Sequence, residues 1–289
     1  MTIGVADLAG VPVGGDHPVV VMGVINVSPE SFYPGSVHGD AKDLIDVALR
    51  MVEAGAALVD VGARSTAPYL PTAVAEDEEA ARLGHAVGAL AARIPVPVSA
   101  DTTSARVARA ALEAGARIVN DVSGLRDPAM GPLVRAHARG VLLVASRIGA
   151  PVAAARPAAG ADPVACVRGL LEAALGRARA AGLEATRLAL DPGIGFFRDE
   201  GMPWAAWDAR ILAGLAALQA LGRPLAVGVS RKSFVGALTG RARPEDRLAG
   251  SLAATAVAVL HGAALVRTHD VAETVDAVRV AERLRRERG

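Results

Sequence analysis

The chain has 289 residues, 52% of them hydrophobic, and a formal net charge of +1 at pH 7. It can bury a large core and has no global charge bias toward nucleic acid or an anionic membrane, so any affinity for anions must be local. Its single cysteine, Cys166, excludes an internal disulfide framework and a cysteine-based zinc site and suits a reducing compartment.

Residues 1–17 read as an N-terminal lead-in. They show no basic segment followed by an apolar core, and no uninterrupted apolar run reaches the roughly 18 to 20 residues of a membrane span, so a cytoplasmic protein without a membrane partner is expected. Residues 18–289 then repeat one rhythm: a short Val/Ile/Leu run, a polar tip, and an Ala-rich amphipathic stretch. The strand and helix pairs are Val19–Asn26 with Asp43–Ala54, Ala57–Gly62 with Val74–Arg93, Val96–Asp101 with Ala105–Ala114, and Arg117–Asp121 with Pro128–Ala138. They continue with Val141–Ala145 and Pro163–Ala181, Arg187–Asp191 and Ala205–Leu221, Pro224–Val229 and Arg247–His261, and Ala264–Arg267 with Val271–Arg288. Each strand candidate is short and evenly apolar, as parallel strands covered on both faces should be. Eight such units predict a single-domain (β/α)8 barrel, whose active site gathers at the C-terminal strand ends. An open doubly wound sheet is the rival, but the Gly-rich dinucleotide fingerprint is missing.

In a barrel the strand tips converge. They read Asn26, Arg64-Ser65-Thr66, Asp101, Asn120-Asp121, Ser146-Arg147, Asp191, Ser230-Arg231-Lys232 and Arg267-Thr268-His269. Any one polar tip could simply cap the following helix. Eight together, with Lys, Arg and His among them, exceed what capping needs. Asp101, Asn120 and Asp191 could grip the N–H groups of a guanidine-like heterocycle. Asn26, Lys232, Arg267 and His269 suit a diphosphate and its Mg²⁺. Lys232 and Lys42 are the only lysines among 31 basic residues. A compact ammonium rather than a planar fork is therefore expected at position 232, in a cationic turn where Ser230 and Ser233 bracket Arg231 and Lys232.

Seven ordered motifs resemble the dihydropteroate synthase family. They are Met22-Gly-Val-Ile-Asn-Val-Ser-Pro-Glu-Ser-Phe32, Ser65-Thr66 with Pro68, Ser99-Ala-Asp-Thr102, Asn120-Asp-Val-Ser-Gly124, Asp191-Pro-Gly-Ile-Gly-Phe196, Ser230-Arg-Lys-Ser-Phe234 and Arg267-Thr-His-Asp-Val271. The resemblance implies a transferase that joins 7,8-dihydropterin-6-ylmethyl diphosphate to the amine of p-aminobenzoate and releases diphosphate. It implies that Asp101, Asn120, Asp191 and Lys232 hold the pterin, with Lys232, Asp101 and Asp191 carrying the catalysis. Asn26 would coordinate the Mg²⁺ that comes with the diphosphate. Ser65, Thr66, Arg267 and His269 would bind the diphosphate, and Phe196, Ser233 and Pro68 would line the arylamine site. A homodimer is implied as well, through the small apolar faces of Leu212–Leu221 and Leu252–Leu260.

The chain departs from the family pattern on the arylamine side. Ala63-Arg-Ser-Thr-Ala-Pro68 stands for the usual Gly-Glu-Ser-Thr-Arg-Pro, Phe32-Tyr-Pro-Gly for Phe-Ser-Asp-Gly, Ala145-Ser-Arg147 for Met-His-Met, and Phe197-Arg198 for a Gly-Lys pair. Arg64 and Arg147 either replace the missing charge or meet a different acceptor. One such acceptor is a ribofuranosylaminobenzene phosphate, as in the archaeal-type relatives of tetrahydromethanopterin biosynthesis. A pterin-binding methyltransferase barrel shares the acidic floor, but it has no diphosphate for Lys232, Arg267 and His269 to hold. A catalytically silent barrel is the third reading. Trp204 and Trp207 are expected to cover a barrel end or a subunit contact.

Overall fold

A computed structural model of the chain describes residues 4–28, 41–64, 74–150, 160–198 and 201–287. Eight parallel strands close into a barrel: β3 (Val20–Asn26), β4 (Leu58–Gly62), β5 (Val98–Asp101), β6 (Ile118–Asp121), β7 (Gly140–Val144), β8 (Leu188–Asp191), β9 (Leu225–Gly228) and β10 (Ala263–Thr268), with β10 pairing back onto β3. Helices α1 (Ala41–Glu53), α2 (Glu76–Ala91), α3 (Ala105–Glu113), α4 (Met130–His137), α5 (Pro163–Ala180), α6 (Trp204–Ala213), α7 (Ser233–Thr239), α8 (Leu248–Leu260) and α9 (Val271–Arg286) connect them. The expected (β/α)8 architecture is therefore present. No described helix is long and apolar enough to cross a membrane.

Alternation along each strand separates two cores. On β4, Leu58 joins the apolar cluster in the lower barrel, while Val59 and Val61 pack outward with α1 to α3. On β6, Ile118 points into the barrel and Val119 toward the helices; on β8, Ala189 points in while Leu188 and Leu190 point out. Side chains two residues further along the same face point inward again. That period puts Asp60, Asn120 and Asp191 in the upper barrel, above Leu58, Ile118 and Ala189. The same step on β10 takes the chain from Leu265, in the lower cluster, to Arg267.

The lead-in is more ordered than the sequence suggests. Val5–Leu8 (β1) and Val11–Gly14 (β2) form an antiparallel hairpin. Its two-residue turn, Ala9-Gly10, has φ of 60° and 91°, the pair of positive angles that a right-twisted hairpin favours. Leu8 and Val13 are buried with the lower barrel cluster, so the hairpin closes that end. The expected helix Ala205–Leu221 is interrupted: α6 stops at Ala213 and a 3-10 segment, Leu215–Leu221, follows. Gly214 lies at the break, where a Cβ would stand 2.5 Å from Val164 Cγ2 of α5. An extra short helix, α7, precedes α8 and ends at Gly240 in the left-handed conformation (φ 70°).

Candidate active site

The inward residues of the upper barrel form one polar cluster. Arg267 donates to the carboxylates of Asp60 and Asp101, the latter at 3.0 Å, and lies 3.9 Å from Asp191. Asn120 donates to Asp60 at 3.1 Å. Lys232, just beyond β9, donates its ammonium to the carbonyl of Ile194 and lies 5.1 Å from the centre of the Phe196 ring. Gly228 lies beside both cations: a Cβ there would be in ordinary contact with Arg267 Cβ at 3.6 Å and with Lys232 Nζ at 4.0 Å. Three carboxylates thus face two cations in one buried mouth.

Burial governs the ionisation of this cluster. It pushes the Asp101 carboxyl up to about 7, helped by the neighbouring Asp60 charge and opposed by Arg267. It also raises Asp191, against the pull of Lys232 and Arg267, and it lowers the Lys232 ammonium, against the pull of Asp191, Asp208 and Asp101. Arg267 is raised because the attraction of Asp60, Asp101 and Asp191 outweighs its burial. Several acceptors have no donor among the described residues: one oxygen each of Asp60, Asp101 and Asn120, all buried. Buried acceptors of this kind are costly unless a ligand supplies N–H groups.

The other sequence candidates divide by position. Asn26 ends β3, and its side-chain oxygen is 3.5 Å from where a Cβ on Gly62 would be, with Asp101 Cβ 3.7 Å away on the other side. It therefore borders the same mouth. Among the described residues no group of three His, Cys, Asp or Glu side chains could hold a metal by itself. One neutral amide oxygen nevertheless fits a hard cation whose remaining ligands are phosphate oxygens. Burial depresses the His269 imidazole to about 4, so at neutral pH it offers a hydrogen bond rather than a charge; its Nδ1 is 3.0 Å from Ser230 Oγ. Ser65, Thr66 and Pro68 lie outside the described residues.

On the arylamine side, Ser233 begins α7 and accepts a 2.7 Å hydrogen bond from Arg198. Arg198 lies over the ring of Trp204, 4.2 Å from its centroid. Arg64 is held by Glu79 at 3.0 Å and donates to Thr103 at 3.0 Å. Arg147 follows β7, close enough to Arg126 that the two charges repel.

Two expectations need correction. Arg231 does not share an anion site with Lys232: it turns inward and forms a two-pronged ion pair with Asp270, at 2.9 and 2.6 Å, and donates to the carbonyls of Pro244 and Glu245. Its positive φ of 54° points successive side chains in different directions, which leaves only Lys232 at the mouth. Trp207 makes no subunit contact, being enclosed within the chain. Trp207 is fully buried against Phe197, with ring centroids 5.6 Å apart, and Trp204 supports Arg198.

Asp60 was not among the sequence candidates, because it sits inside a strand that reads as an apolar run. The only signal was a lone acid between Val59 and Val61. Asp121, a strand-tip candidate, points the other way: its carboxylate accepts from the Ser123 and Leu125 amides, at 2.7 Å each, and shapes the loop after β6.

Comparison with known proteins agrees with this geometry. Residues 22–269 match the family model described as pterin binding enzyme. The dihydropteroate synthase of Mycobacterium leprae is 44% identical over 274 residues, 91% of this chain and 92% of that protein. A Xanthomonas albilineans dihydropteroate synthase solved with 4-aminobenzoic acid superposes with a TM-score of 0.83 at 40% identity, covering 98% of each chain. A Coxiella burnetii dihydropteroate synthase in complex with pteroic acid gives a TM-score of 0.83 at 32% identity, covering 99% of this chain and 98% of that one. With its barrel, its buried acid–cation mouth and these likenesses in accord, the chain belongs to the dihydropteroate synthase family of pterin-binding enzymes.

Proposed function

We propose that the chain condenses 7,8-dihydropterin-6-ylmethyl diphosphate with the amine of p-aminobenzoate and releases diphosphate. The observation that carries this reading is the buried mouth in which Asp101, Asn120 and Asp191 converge with Arg267 and Lys232, with acceptor oxygens unmatched by donors among the described residues. A flat pterin supplies the missing N–H groups, and Lys232 stands where the ring meets the arylamine.

The chemistry follows from the substrate. The methylene C–O bond breaks with its electron pair leaving on diphosphate, and the pterin ring spreads the cationic character left on the methylene carbon. The arylamine nitrogen then forms the new C–N bond and loses a proton. Asp101, Asn120 and Asp191 hold the ring and favour its cationic form, while Arg267 neutralises the carboxylates between ring and tail. Asn26 would hold the Mg²⁺ that comes with the diphosphate, which when bound would supply positive charge to the leaving group. His269 donates to the phosphates, with Ser65 and Thr66 on the loop beyond β4. Phe196, Ser233 and Pro68 form the arylamine slot, and Arg198 beside Ser233 attracts the acceptor's carboxylate.

Of the two cations the sequence offers to a phosphate-bearing acceptor, Arg64 and Arg147, the first is already engaged by Glu79 and Thr103, which favours p-aminobenzoate. The small exposed side chains of α8, among them Ala253 and Val257, suit a second copy of the chain, and we read the enzyme as a cytoplasmic homodimer. The test is a paired assay with dihydropterin diphosphate and Mg²⁺, using p-aminobenzoate or its ribofuranosyl phosphate relative as acceptor. Turnover with p-aminobenzoate is expected; turnover with the second acceptor alone, or with neither, overturns the reading.

A further inference from the structure

Behind Lys232, away from the substrate mouth, lies a carboxylate for which the chemistry above has no use. Asp208 sits in the middle of α6 and is fully buried. One of its oxygens accepts the N–H of Gly195 at 2.9 Å, and the other has no partner among the described residues. The carbonyl of Ile194, on the same peptide group, accepts the ammonium of Lys232. A single peptide plane therefore links acid to lysine, with the carboxylate on its N–H and the cation on its C=O.

We propose that Asp208 is a positioning residue for Lys232, acting through the Ile194–Gly195 peptide; the role in turnover rests on the function proposed above, the link itself does not. A carboxylate on the N–H holds that peptide against rotation and makes its carbonyl a stronger acceptor. The fit is close: Gly195 has φ of 92°, and a Cβ there would stand 3.0 Å from Lys232 Cδ. Phe197 and Trp207, packed at a tilt of 43° beside the link, tie the loop to α6.

An asparagine could accept the same hydrogen bond, so the charge needs its own reason. Burial disfavours the Lys232 ammonium, and Arg267 pushes the same way. Asp191 and Asp101 oppose this from the substrate side, and both face the bound ring. Asp208 opposes it from behind, where substrate does not reach. The charges acting on Asp208 are those of Lys232 and Arg198, and burial holds its carboxyl up at about 6. Asp208 thus adds a fixed negative charge that keeps Lys232 protonated while substrate binding changes the front of the site.

The chain's two lysines permit a direct test. In enzyme labelled with ¹³C at the lysine ε-carbons, Lys42 is 83% exposed and serves as an internal reference for Lys232. The Asp208→Asn variant keeps an acceptor for Gly195 and removes the charge; Asp208→Leu removes both. In Asp208→Asn the Lys232 resonance should titrate roughly 0.5 to 1 pH unit lower than in the wild type, with Lys42 unmoved. Its kcat should fall about tenfold while KM for the pterin diphosphate stays within about threefold. Asp208→Leu should lose about 100-fold in kcat, as expected when a reacting group is misplaced.

An unshifted Lys232 titration in folded Asp208→Asn overturns the proposal, as does an unchanged kcat in that variant. If Asp208→Leu does not fold, the nearly isosteric asparagine variant decides alone. The titration needs no substrate, so it stands apart from the paired acceptor assay, whose failure would overturn only the reaction.

Discussion

Asp60 and Arg267 form an ion pair across the barrel mouth with side-chain exposures of 1% and 10%, reaching from β4 past the intervening β3 to β10. Arg267 also serves Asp101 and Asn120 also serves Asp60, so removing one carboxylate unbalances the whole cluster. Asp60→Ala should destabilise the fold by about 2–4 kcal/mol, the lower part of the range for breaking a buried pair because Asp101 still holds the guanidinium. Urea denaturation measures the loss. Calorimetric titration with a pterin should show weaker binding in the same variant.

The raised Asp101 carboxyl makes both binding and stability depend on pH. Its folded value of about 7 lies above the ordinary 3.8, so the protonated form is favoured in the fold. Folding support from this group is full below pH 4 and is lost as the pH rises through 7. Asp101→Asn should therefore gain stability relative to the wild type between pH 4 and pH 8, by roughly 1–3 kcal/mol at the upper end. Thermal unfolding at the two pH values tests this. In activity the sign reverses: an ionised carboxylate is the better acceptor for pterin N–H groups, so kcat/KM for the pterin diphosphate should rise through pH 7 in the wild type and lose that limb in the variant.

Lys232→Ala and Asp191→Ala should each reduce kcat/KM by about 100-fold or more, as expected for groups that stabilise developing charge in a dry site. Far-ultraviolet circular dichroism should show the barrel intact. Folded variants that still turn over normally would remove these residues from the site.

Arg231 makes the opposite prediction, although it precedes Lys232 directly. Its guanidinium is paired with Asp270 and two backbone carbonyls, none of them a group assigned to substrate. Arg231→Ala should cost about 3–5 kcal/mol of stability. At a temperature where the variant remains folded, KM for both substrates should stay near the wild-type value.

Much of the molecule is legible in the sequence because the alternation of short apolar runs, polar tips and Ala-rich helical stretches is strong over eight repeats. The barrel, its strand order and the gathering of Asp101, Asn120, Asp191, Lys232 and Arg267 follow from them. Three features do not. Asp60 hides inside an apolar run, since a strand flat in hydrophobicity gives no hint of which parity faces the barrel axis. Asp208 sits on a helix that reads as ordinary Ala-rich packing, and only tertiary structure brings it behind Lys232. The direction of Arg231 depends on one positive φ, which pattern reading cannot supply for a non-glycine residue.

The alternation that separates Val59 and Val61 from Asp60 on β4 also bears on how such an enzyme can change. Neighbours in sequence answer to different surroundings, one set to the surrounding helices and the other to whatever occupies the central shaft. Rewriting the second set leaves the scaffold's own fit untouched, so new ligand preferences can arise by swapping every other residue near the rim. Combinatorial libraries confined to those alternate positions should yield mostly folded proteins, whereas libraries one residue out of step should yield mostly collapsed ones.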